Sequence, residues 1–130
     1  MCASVFFGPD HPKLAYSLQC LSEILLAQGR IAEAEPLARR GLAIRSRVHG
    51  NRHPTLSISL EILARVRDER DDAAEAAELY RQALTVLQDT AGPDHPRVAS
   101  IVEQYARALE RLERLADAEA LRARPPLASA

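Results

Sequence analysis

GPDHPKLAYSLQCLSEILLAQGRIAEAEPLARRGLAIRSRVHG, residues 8–50, opens with a Gly-x-x-His-Pro motif and closes on the Gly that opens the next one. His-Pro occurs at His11-Pro12, His53-Pro54 and His95-Pro96, 42 residues apart each time. Gly8, Gly50 and Gly92 stand three residues ahead of each His. A fixed period of this length marks a repeat array, in which one supersecondary unit is stacked on copies of itself.

Aligned on that period, the units run over about 8–49, 50–91 and 92–124, with 1–7 and 125–130 as terminal segments of one domain spanning 1–130. Leu14, Leu18 and Leu21 recur as Leu56, Leu60 and Leu63, then as Val98, Val102 and Tyr105. Steps of four and three place each set on one helical stripe. Pro12, Pro54 and Pro96 sit in a first turn, where a missing N–H costs nothing. The first helices are therefore expected over about 12–28, 54–70 and 96–112, each with its His at or beside the N-cap.

Gly29-Arg30 breaks the pattern in unit one, since Gly adopts the positive φ that ends a helix. Asp71-Asp72 and Glu113-Arg114 hold the same places in units two and three. Asp there suits the positive end of a following helix, whereas Glu113 carries no turn signal and its break follows from the period alone. Second helices are expected over about 31–48, 73–90 and 115–123. Ala34, Ala76 and Ala118 recur in them and let helices approach closely, with Leu37, Leu79 and Leu121 beside them. Pro36 lies inside the first and should bend it slightly.

A lone hairpin cannot hide its apolar stripe, whereas stacked hairpins can. With 17 Lys+Arg against 18 Asp+Glu and a net charge of −1, the chain lacks the basic excess of nucleic-acid binders. No apolar run nears the roughly 20 residues that span a bilayer, so no membrane partner is expected. Cys2 and Cys20 are the only thiols. They form no disulfide framework and no zinc spacing, which points to reduced cysteines in a cytoplasmic protein. Packed helices lie about 10 Å apart, so His11, His53 and His95 cannot share one metal ion, and helix capping is their simpler use. No cofactor site is read. No Gly-rich phosphate loop and no His beside a nucleophile is present, so no enzyme activity is expected.

The stretch over 8–50 resembles a tetratricopeptide repeat of the kinesin light chain type, with its Gly-x-x-His-Pro opening and Ala-Glu-Ala-Glu-Pro-Leu second helix. The likeness covers about residues 8–124 and departs at Asn51-Arg52 and Asp71 in unit two. HEAT-type repeats share a similar period but not these motifs. The resemblance implies an all-α fold, an α-solenoid of about three helix-turn-helix hairpins, six helices in a right-handed superhelix. It also implies that the first helices line a concave groove that takes short peptide segments of other proteins. Carried over by position, that groove presents Tyr16, Gln19, Cys20, Glu23 and Leu26 from unit one. Unit two presents Ile58, Glu61, Ile62, Arg65 and Asp68, and unit three Ser100, Glu103, Gln104, Arg107 and Arg111. These are also the positions left over once the packing stripe is assigned.

Arg65, Arg107 and Arg111 could pair with acidic side chains of a peptide. Glu61, Asp68, Glu103 and Glu110 compete for them through i,i+4 pairing. Arg39, Arg40, Arg45 and Arg47 read as a solvated outer face. Binding by so small a groove should be micromolar, roughly 8 kcal/mol. The rival expectation is a regulatory or self-associating section of a larger multidomain protein, joined through uncapped ends. The shortness of both terminal segments favours that rival.

Overall fold

The computed structural model describes residues 12–50 and 53–123. Among them it contains six α-helices: α1 (Pro12–Ala27), α2 (Ile31–His49), α3 (Pro54–Glu69), α4 (Ala73–Ala91), α5 (Pro96–Arg111) and α6 (Leu115–Ala123). They pair as the hairpins α1–α2, α3–α4 and α5–α6, and α2 packs on α3 and α4 on α5. This is the all-α solenoid of hairpins that the period predicts, with helix ends within a residue or two of the expected ones.

The starts follow from the capping chemistry. His53 caps α3 and His95 caps α5, each with extended backbone. The His53 Nδ1 accepts the Thr55 amide at 3.2 Å, and the His95 Nδ1 accepts the Arg97 amide at 3.1 Å. Each ring therefore satisfies one of the four amides a helix start leaves open. His11 lies outside the described residues. Asp72 caps α4 through its Oδ1, which accepts the Glu75 amide at 3.2 Å.

The turns inside the hairpins are the same turn three times. Gly29, Asp71 and Glu113 all take positive φ, at 77°, 63° and 62°. The amides of Arg30, Asp72 and Arg114 then reach back to the carbonyls of Leu25, Arg67 and Leu109 at 2.8, 2.9 and 2.9 Å. This is the bond of a Schellman end. Glycine makes the turn without strain, whereas Asp71 and Glu113 hold a conformation unfavourable for a side chain. The repeat imposes the turn at Glu113, where the local sequence does not ask for it.

Ala34, Ala76 and Ala118 are fully buried, so the close approach expected of them is present. The main core gathers Leu56, Leu60, Leu63, Val66, Tyr80, Leu87, Ile101 and Leu109 from the middle of the array. A smaller cluster of Leu14, Ala15, Leu18 and Ile44 holds α1 to α2, and Leu37 packs against both. Ion pairs clamp the turn side. Arg67 of α3 reaches Glu35 of α2 at 2.6 Å and Glu75 of α4 at 2.8 Å.

Two expectations are corrected. Leu21 was assigned to the packing stripe but is 42% exposed, whereas its counterpart Leu63 is 4% exposed. The difference arises because α2 lies against α3 and no described helix lies against that side of α1. Arg45 was read with the solvated arginines, yet it is only 4% exposed. Its guanidinium reaches Gln19 Oε1 at 2.7 Å, Ser59 Oγ at 3.0 Å and the Thr55 carbonyl at 3.3 Å. Burial lowers its pKa, offset in part by Cys20 and Glu23.

Candidate functional site

α3 and α5 are joined by their own side chains, and α1 is joined to α3 through Arg45 of α2, so that the first helices form one layer. Glu61 of α3 pairs with Arg97 of α5 and accepts from Gln104 Nε2 at 2.6 Å. Arg111 of α5 pairs with Asp68 of α3 and, at 3.0 Å, with Asp71 in the turn beyond it. Arg45 bridges from α2 to Gln19 of α1 and to Ser59 of α3. The Tyr80 hydroxyl of α4 donates to Gln104 Oε1 at 3.3 Å, and burial pushes its pKa well up. Long polar side chains thus stitch the layer together, and several of the predicted site residues belong to the stitching.

Eight of the nine predicted peptide-contacting residues fall into three groups, and Ile62 stands apart. Gln19 and Gln104 are spent on Arg45 and Glu61. Arg107 and Arg111 are exposed but paired, Arg107 with Glu103 at 3.5 Å and Arg111 with Asp68 and Asp71. Tyr16 is exposed, and Glu23, Ile58 and Arg65 are half-buried. Ile62 must be corrected. It is 2% exposed and belongs to the core cluster that also holds Ala34 and Ala38 of α2. A middle first helix packs against its own partner and against the preceding hairpin, so nine of the sixteen residues of α3 are buried. The four-three stripe that suffices for one contact undercounts that arc.

Electrostatics single out one cation. Among the described residues Arg65 has no ion-pair partner, although it is half-buried in a layer whose other arginines are engaged. Glu103 is shared between Arg107 and Arg122. The bond from Arg122 chiefly holds its carboxyl below the usual range, against burial.

A second feature was not read from the sequence. A cavity of about 410 Å³ opens between α2 and α4, floored by Leu56 and Leu60 of α3. Leu42, Ser46, Gln82, Thr85 and Val86 line its walls. Arg81 at its edge is tied to Glu78. It lies on the second-helix side, away from the layer carrying Arg65. Among the described residues no group of three or more His, Cys, Asp or Glu side chains could hold a metal ion, and no helix is long and apolar enough to cross a membrane.

A family model for the tetratricopeptide repeat matches residues 14–89, more than half of the chain. The chain belongs to the tetratricopeptide repeat family. No curated protein matches it. The match covers most of α1, all of α2 and α3 and most of α4; the His cap of α3 and the positive-φ turn of the second hairpin recur at His95 and Glu113 in the third. Tetratricopeptide repeats are in general protein–protein interaction modules.

Proposed function

We propose that the layer formed by α1, α3 and α5 captures a short peptide segment of another protein, as an adaptor or scaffold does. The observation that carries this reading is Arg65. A half-buried guanidinium without an ion-pair partner has lost part of its hydration with no charge-assisted bond in exchange. A carboxylate supplied by a peptide would complete it with a charge-assisted, bidentate bond. Ile58 two turns before it and Tyr16 on the neighbouring helix offer apolar surface for an anchor. Arg107 and Arg111 can contribute only by exchanging their present acidic partners, so they tune selectivity more than affinity.

The reading is tested with a random peptide library displayed on phage and panned against the full chain. The best peptide is then titrated by fluorescence anisotropy. Charge reversal of Arg65 and Arg107 together should weaken it at least about tenfold and flatten its salt dependence. Unchanged affinity and unchanged salt dependence would mean that the peptide sits elsewhere.

A further inference from the structure

α1 carries an apolar face that its counterpart α3 buries at the positions equivalent to Leu21 and Ile24. On α1, Tyr16 is 61% exposed, Leu21 42% and Ile24 53%. In the repeat register Leu21 corresponds to Leu63 and Ile24 to Val66, which are 4% and 0% exposed. Cys20, which stands between them, corresponds to Ile62 and is half-buried. The surface on α1 is therefore continuous in kind with an interface the array already uses, where a helix lies flat across positions 62, 63 and 66.

We infer that this face of α1 docks a second copy of the chain, with the two α1 helices antiparallel about a twofold axis passing by Cys20. Tyr16, Cys20 and Ile24 follow one another at steps of four, so they form a straight stripe on the helix. Reversing the stripe about Cys20 places Tyr16 against Ile24 of the mate, so the surface is self-complementary, as an isologous contact requires. The antiparallel arrangement also sets opposite ends of the two helix dipoles side by side. A net charge of −1 leaves little long-range repulsion between copies.

Docking of the last helix of a second copy, α6, suits the face less well. The register position that holds Ala38 in α2 and Tyr80 in α4 holds Arg122 in α6, and Arg122 is bound to Glu103 and Glu110. A single helix of sixteen residues is about 24 Å long, so the contact belongs to the small, transient class of interfaces. It shares Tyr16 with the proposed peptide contacts, whereas Leu21 and Ile24 lie outside them.

Sedimentation velocity of the full chain over a wide concentration series tests this. Ile24→Glu and, separately, Leu21→Lys serve as variants, and circular dichroism checks that each still folds. A Cys2→Ser chain treated with a short bismaleimide reports whether Cys20 faces Cys20 of its mate. The expected result is a dimer that grows with concentration, is weakened at least about tenfold by either folded variant, and cross-links through Cys20. Three results would overturn it. One is a monomer throughout, as when residues 1–7 or a different protein cover the face. Another is a dimer indifferent to both substitutions. The third is a dimer in which Cys20 does not cross-link. Leu21 and Ile24 are not among the proposed peptide contacts, so peptide titration of the same variants separates failure here from failure of the groove.

Discussion

Glu113 shows what the repeat asks of single residues. It holds a left-handed backbone that glycine takes at no steric cost, and its exposed side chain makes no hydrogen bond or ion pair among the described residues. Glu113→Gly should therefore stabilise the chain by about 0.5–1 kcal/mol, read as a raised melting temperature. Asp71→Gly should help less, because Asp71 also accepts from Arg111. His49 is a second case. Its ring stacks on His53 with centroids 4.0 Å apart, and burial, then His53 and Arg45, lower its pKa from 6.5. The unfolded chain takes up that proton first. Stability is thus insensitive to this group above the ordinary value and declines as pH falls below it. His49→Gln should flatten the loss between neutral and mildly acidic pH, measured by chemical denaturation. An equally steep loss in the variant would assign it to other groups.

At the scale of the helix, small residues set the spacing. Ala76 is fully buried, so Ala76→Leu should overpack its contact and cost about 1–3 kcal/mol. Gly41 is the converse. A Cβ there would meet the Ala15 carbonyl and the Leu18 Cβ at 3.7 Å, ordinary contact distances. Ala83 already fills the same register position in α4. Gly41→Ala should raise stability by about 0.5–1 kcal/mol, the helix-propensity difference. Helix boundaries were legible because His-Pro starts, the 42-residue period and the Ala-Leu echoes all agree. What escaped was which sides of a helix find a neighbour. Leu21 and Leu63 read alike, yet among the described helices only Leu63 has a preceding one against it. Arg45 shares its register with Leu87, which is buried. That comparison was available in the sequence, but the long arginine run masked it.

Across the whole molecule, the array is tied by a continuous core in its middle and by ion pairs along its turn side. Hairpins that contact only their neighbours share stability as nearest-neighbour terms, so a change at α4 should be felt across the molecule and one at α6 less. Leu87→Ala, in the central core, should cost about 2–5 kcal/mol in denaturant unfolding. The candidate site was only partly legible. Its layer and its exposed residues follow from the period. The division of labour within it does not, because Gln19 finds its partner 26 residues away in the second helix of its hairpin, and Gln104 and Arg111 find theirs 40 to 43 residues away in the neighbouring hairpin. Arg65 stands out only once those partnerships are known.

The most direct test is therefore the affinity of a selected peptide for the full chain and for Arg65→Glu alone, with Arg81→Glu at the second-helix cavity as control. Weakening of at least about tenfold at Arg65 with no change at Arg81 is the predicted result. Equal binding by all three chains, or loss only at Arg81, would place the partner on the opposite layer and contradict the account.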